Sequence, residues 1–294
     1  MPASLIVNPV SGADRGSGYL PLLQDRLAGV FGAVEVALTE AEGDGERAAR
    51  RAAERGARTI VVAGGDGTLN EVLNGVAGAG ALDRVTFGLV PMGTGNDFAG
   101  MLGLPDDPAA ALERLAAGTE RRVDVGMVND RAFLNASAGG FLAEVSEALT
   151  PGMKTVAGRL AYVIAGAGVI AGFEPPAARV AIGPESIPER PYHLFVVCNG
   201  QTIGGGHRAA PRARLDDGLL DACLVEASGP LDLVALLRRL SKGEHLDAEG
   251  VTYRQFQSAE LTFDRVVKVN TDGEVMETQV CRYRVLPGAA RFLA

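Results

Sequence analysis

The chain has 294 residues, 47% of them hydrophobic, with a formal charge of −8 and a pI near 5.1. That length allows two domains, each with its own core. The acidic balance argues against nucleic acid as a partner and against a broad basic membrane face, although Arg15, Lys154, Arg159 and Arg179 could still gather into a local patch.

Cys198, Cys223 and Cys281 are odd in number and widely spaced, with no Cys-x-x-Cys pair, which predicts buried free thiols and no zinc site. The opening residues carry no signal-peptide pattern. The longest uncharged apolar run, Leu160 to Phe173, is fourteen residues with three glycines. That is short of the roughly 18–20 residues a bilayer span needs, so a cytoplasmic protein that meets membranes from outside is expected.

In chain order, Ser4 to Val10 reads as a buried strand stopped by Asn8-Pro9-Val10-Ser11-Gly12. Asn8 and Ser11 could reach a nucleotide or simply close an Asx-type turn. A helix follows over Ser17–Val30, a strand over Val34–Leu38 with Thr39 at its end, and a helix over Gly45–Arg55. Thr59–Ala63 is a β-branched strand running into Gly64-Gly65-Asp66-Gly67-Thr68-Leu69-Asn70-Glu71, then helix to Ala77. Thr86–Val90 repeats the design, running into Pro91-Met92-Gly93-Thr94-Gly95-Asn96-Asp97-Phe98.

A strand, glycines and a helix start form a phosphate cradle: small residues let an anion approach the backbone, and the helix directs free N–H groups at it. Strands alternating with helices at this spacing imply a doubly wound, mostly parallel sheet over residues 1–125. Beyond it, Asn129-Asp130 is a hairpin signal between two strands, and short β-branched runs dominate: Arg179–Ile182, Tyr192–Cys198, Leu219–Glu226, Gln255–Phe263, Val266–Val269 and Val280–Leu286. Helical patterns interrupt them at Glu144–Leu149, Thr155–Ile170 and Leu231–Leu240. Residues 126–286 therefore form a second, mainly antiparallel domain.

Gly-Gly-Asp-Gly-Thr-Leu-Asn-Glu at 64–71 and Pro-Met-Gly-Thr-Gly-Asn-Asp-Phe at 91–98 resemble the diacylglycerol kinase catalytic domain in its bacterial soluble branch. So do Asn199-Gly200, Gly204-Gly205-Gly206, Leu215 to Asp221, and Asp272-Gly273-Glu274. The resemblance implies a β-sandwich second domain, residues 287–294 returning to the first, and an active site in the cleft between them. It further implies ATP and Mg2+ as cofactors and a lipid hydroxyl, diacylglycerol-like, as acceptor, reached by transient membrane contact. A homodimer is compatible with it.

In that reading Asn8, Thr39, Gly64, Gly65, Asp66, Gly67, Thr68, Asn70, Gly93, Thr94, Asp97 and Asp124 bind the nucleotide and its cation. Asp66, Asp97 and Asp124 organise magnesium partly through water. Each has a plainer alternative, as a helix cap or turn acid. Asp272 is the general base and Glu274 assists it, although Asp-Gly is also an ordinary hairpin turn. Asp217, with the carbonyls of Arg214 and Leu219, would hold a structural magnesium. Gly204–Gly206 precede no helix, which makes His207 a turn residue, and His193 and His245 carry no signal. Two rivals stand beside the lipid kinase: a kinase of a soluble alcohol, since NAD kinases share Gly-Gly-Asp-Gly-Thr but lack Pro-x-Gly-Thr-Gly-Asn-Asp, and a lipid-binding regulator without catalysis.

Overall fold

A computed structural model describes residues 3–148 and 173–294. In the first unit β1 (Ala3–Val7), β2 (Val34–Leu38), β3 (Thr59–Gly64) and β4 (Thr86–Pro91) lie parallel in the order β2-β1-β3-β4. Ile6, Ile60 and Val62 pack with α2 (Asp44–Glu54) and α3 (Asp66–Gly78). The alternate residues Leu5, Val7, Val61 and Ala63 pack with α1 (Ser11–Phe31) and α5 (Pro108–Ala116). A sheet covered on both faces requires strands that are apolar on both sides, and the central runs Leu5–Val7, Ile60–Ala63 and Phe87–Val90 are, whereas the edge strand β2 carries Glu35 and is only partly buried. The short α4 (Asp97–Leu102) adds Phe98, Ala99 and Leu102 to the α2–α3 side.

The second unit holds β5 (Glu120–Val128), β6 (Arg131–Phe133), β7 (Ala136–Gly140), β8 (Ala177–Ile182), β9 (Glu185–Cys198), β10 (Leu220–Glu226), β11 (Val251–Phe256) and β12 (Ser258–Thr271), with helices α6 (Phe141–Ala148) and α7 (Pro230–Lys242). β12 pairs β7, β7 pairs β9, and β8 pairs both β9 and β12, all antiparallel. β9 serves two cores by alternation: Phe195 and Val197 face Val180, Phe263 and Val269, while Leu194, Val196 and Cys198 face Cys223 and the α7 residues Leu233 and Leu240. The three cysteines are free and buried.

The two units are joined by β13 (Glu274–Leu293), which pairs β12, then β5, and finally runs parallel to β4 at Arg291–Leu293. Near its far end Phe292 stacks on Phe87 and tilts against Phe98, ring centroids 5.2 and 4.9 Å apart. Its near end begins beside Asp272, so one strand ties the proposed base to the first unit's core.

Some boundaries differ from the sequence expectation. α1 begins at Ser11, not Ser17, and runs on through its glycines and Pro21 with Leu23 and Leu27 buried against the sheet. α3 begins at Asp66 itself. The sequence pattern predicts two strands, Gln255–Phe263 and Val266–Val269. Instead β11 ends at Phe256 and β12 runs on from Ser258, a register shift between Thr262 and Val267 absorbing Asp264 and Arg265. The Thr155–Ile170 pattern, Lys154, Arg159 and the Arg15 side chain lie outside the described residues. Among the described residues no helix is long and apolar enough to cross a membrane.

Candidate active site

The two glycine loops meet backbone to backbone. A Cβ on Gly65 would fall 3.1 Å from the Gly93 Cα, and one on Gly93 would fall 2.7 Å from the Gly65 Cα, so side chains are excluded there. Asn96, at φ +50, closes its loop by accepting from Gly93 N and donating to Gly93 O. Asn8 Nδ2 donates to Thr68 Oγ1 at 3.1 Å, which fixes the β1 turn against the start of α3. Gly67 and Thr94 are exposed at this sheet edge, whereas Thr39, Thr68 and Asn70 are buried. Asn70 accepts from Asn74 within α3, and Glu71 accepts from Gly43 N and Gly45 N, anchoring the loop after β2.

The carboxylates act as stitches between loops. Asp66 accepts from Asp97 N and Phe98 N, both at 3.0 Å, and so caps α4. Asp97 accepts from Gly205 N at 2.7 Å and Gly206 N at 2.8 Å, reaching from the first unit to the Gly204–Gly206 loop of the second. Burial raises the Asp66 pKa, and the neighbouring Asp97 charge adds to the rise. Asp124 is 2% exposed and accepts from Gly218 N and Gly288 N, both at 2.7 Å. Its carboxylate therefore belongs with the Arg214–Leu219 turn, where Asp217 accepts from Leu219 N at 3.1 Å. Among the described residues no three His, Cys, Asp or Glu side chains converge as a metal cluster.

Asp272 and Gly273 form the turn between β12 and β13 with φ +47 and +102, the paired positive angles of a tight hairpin. The Asp272 carboxylate turns back onto the β6–β7 connection and accepts from Leu134 N (2.7 Å), Asn135 N (3.0 Å) and Ala136 N (2.8 Å). Three N–H donors favour the charged form, yet burial outweighs them, helped by the Asp66 charge, and holds the pKa at about 7. Asn135 stands between the units: its Nδ2 lies 3.5 Å from Asp66 Oδ1, and its Oδ1 is buried without a hydrogen-bond partner.

Glu274 pairs with Arg131, whose other nitrogen donates to Glu46 of α2 at 3.0 Å. Burial raises the Glu274 pKa and Arg131 restrains the rise. Asn74 makes a second bridge, accepting from Ala132 N at 2.9 Å and donating to Ala132 O at 3.0 Å. A cleft of about 680 Å³ opens between α4 and residues 200–216, lined by Asp97, Met101, Arg121, Gly205 and Asp216; Asp66 and Asp272 do not line it.

Asp66, Asp97, Asn135 and Asp272 are thus brought together, and Asp124 and Asp217 lie apart from them. Sequence reading did not single out Asn135, Arg131, Asn74 or Glu46. The strand run that follows the Asn129-Asp130 hairpin signal was the only signal for the first two. His193 and His245 each use Nε2 on backbone groups, at Ser228 and Ala209, in structural positions.

Comparison with known proteins agrees with this geometry. The diacylglycerol kinase catalytic domain matches residues 2–128, and the YegS C-terminal NAD kinase beta sandwich-like domain matches residues 136–294. The chain is 34% identical over 279 residues to the "Probable lipid kinase YegS-like" of Chromohalobacter salexigens, covering 93% of this chain and 88% of that one. It is 31% identical to the diacylglycerol kinase of Bacillus subtilis, covering 92% and 89%. A crystal structure from Bacillus anthracis str. Sterne superposes with a TM-score of 0.84 at 27% identity, covering 99% and 94%. An NAD kinase from Archaeoglobus fulgidus, in complex with ATP, shares the fold at a TM-score of 0.56 and 15% identity, covering 100% and 94%. With both units matched by family models and relatives above 30% identity spanning over nine-tenths of its length, the chain belongs to the diacylglycerol kinase family of phosphotransferases.

Proposed function

We propose that the protein transfers the γ-phosphate of ATP to the hydroxyl of a lipid alcohol, diacylglycerol-like, with magnesium. The observation that supports this most is the half-buried Asp272 at the junction, its carboxylate held by three amides and tuned to about 7, beside Asp66 of the phosphate cradle. A base of that strength is half deprotonated at neutral pH and suits an alcohol acceptor.

The backbone of Gly64–Thr68 and Gly93–Gly95 would orient the nucleotide's phosphates in line with the acceptor. Asp272 takes the hydroxyl proton as the oxygen bonds to the γ-phosphorus, and the bond to the departing ADP breaks. Glu274, steadied by Arg131, keeps the hairpin in register. Asp66 and the unpartnered Asn135 Oδ1 offer oxygen donors that would suit a partly hydrated magnesium ion, which would supply charge neutralisation to the transferring group. Asp217 with the Arg214 and Leu219 carbonyls fits a second, structural magnesium, supported by the Gly218–Asp124 bond. A lipid acceptor makes transient, peripheral membrane contact part of the proposal, on the cytoplasmic side.

The test is transfer of labelled γ-phosphate from ATP, with magnesium, into a total lipid extract in mixed micelles. Label in a lipid product is expected. Label confined to a water-soluble acceptor would contradict the lipid assignment, and no transfer at all would contradict the enzyme.

A further inference from the structure

The edge of the first unit opposite the glycine loops carries a separate pocket. β3 and β4 begin at Thr59 and Thr86, and Arg291 of β13 pairs with Thr86. Five residues of extended strand, roughly 16 Å, separate this edge from Gly64. Here Arg58, Arg84 and Arg291 line a cavity of about 420 Å³ with Asp83, its back formed by small residues such as Gly56 and Ala81.

The three guanidinium groups are unequally engaged. Arg84 donates to Gly80 O at 3.3 Å and lies 3.9 Å from the Asp83 carboxylate. Arg291 Nη2 donates to Asp83 O at 2.7 Å, but its Nε is buried without a partner. Arg58 is exposed and makes no side-chain hydrogen bond or ion pair among the described residues. Asp83 and the C-terminal ends of α2 and α3, about half a negative charge each, offset part of the positive charge. A net positive pocket remains, in a chain of charge −8. A buried guanidinium nitrogen without a partner is a donor that an oxyanion would satisfy, and the planar fork matches phosphate oxygens two at a time.

We infer that this pocket binds a phosphate group, held by Arg58 and Arg291, at a site distinct from the nucleotide cradle. Its small residues leave room for a compact phosphate or a phosphate-bearing headgroup. The inference does not depend on the catalytic reading, because none of its residues belongs to that site.

The experiment measures binding of inorganic phosphate by equilibrium dialysis at fixed ionic strength, for wild type, Arg58→Gln and Arg291→Gln. Co-sedimentation with phosphatidylcholine vesicles, with or without phosphatidic acid, is measured in parallel. Phosphate that also enters the glycine loops does so equally in wild type and Arg58→Gln, so the difference between them reads the pocket. A roughly tenfold weaker phosphate affinity in Arg58→Gln, as for loss of one charge-assisted contact, supports the site with free phosphate as ligand. Vesicle binding that needs phosphatidic acid and is lost in Arg58→Gln supports it with a lipid headgroup as ligand. Arg58→Gln is exposed and should fold, with phosphotransfer rates unchanged. Phosphate and vesicle binding both unaltered in the two variants would overturn the proposal.

Discussion

Replacing Arg131 by glutamine tests how the Asp272 hairpin is held against the first unit. The guanidinium donates to Glu46 at 3.0 Å and to Glu274, and all three side chains keep 24–31% exposure. Two charge-assisted bonds of about 1.5 kcal/mol each would be worth about 3 kcal/mol if buried, and solvent screening lowers this to about 2 kcal/mol. The substitution also leaves Glu46 and Glu274 facing each other with Glu71 nearby, which pushes the Glu274 pKa further up. Urea unfolding of wild type, Glu46→Gln, Arg131→Gln and the double variant measures the term. Arg131→Gln should lose about 2 kcal/mol, and the double variant should lose less than the sum by about 1 kcal/mol. Turnover should fall more than nucleotide affinity, and Arg131→Lys should restore part of it. A stability within 0.5 kcal/mol of wild type, with no coupling to Glu46, would refute the bridge.

Three further outcomes follow from the same geometry. Asn74→Ala strands the buried N–H and C=O of Ala132, so unfolding should cost about 2–3 kcal/mol less, and a neutral variant would contradict the pairing. Asp217→Ala should remove any rise in melting temperature on adding magnesium, and an unchanged response would exclude the Arg214–Leu219 turn as a cation site. Asp272 has its folded pKa at about 7, above the ordinary 3.8, so its proton is held below that pH and the base is inactive there. Turnover should therefore rise with pH, roughly tenfold per unit well below the midpoint, with bound cation moving the midpoint down. A profile that falls with rising pH would contradict the assignment.

The glycine loops were legible because their chemistry is local: Gly64–Asn70 and Gly93–Asp97 each carry strand, turn and helix start within a dozen residues. The Asp272-Gly273 turn was legible as a turn, but what its carboxylate grips was not. Its amide donors at 134–136 lie well over a hundred positions away, and nothing in a linear pattern pairs them. Asp66 illustrates the opposite limit. Its sequence context allows a cation ligand or a helix cap, and the structure shows it capping α4, the helix after the next strand, while its Oδ1 lies 3.5 Å from Asn135 Nδ2. β13 extends beyond the run Val280–Leu286 that the sequence pattern marks; a register shift between Leu286 and Ala290, across Pro287 and Gly288, carries the strand through to β4.

The most direct test is Asp272→Asn, which keeps the shape of the side chain and one accepting oxygen. Labelled phosphoryl transfer and binding of a fluorescent ATP analogue are measured on the same preparation. Transfer should fall by about 10²–10⁴, the usual contribution of a general base, while nucleotide affinity stays close to wild type. Transfer within tenfold of wild type would show that Asp272 is not the base and that the site's chemistry lies elsewhere.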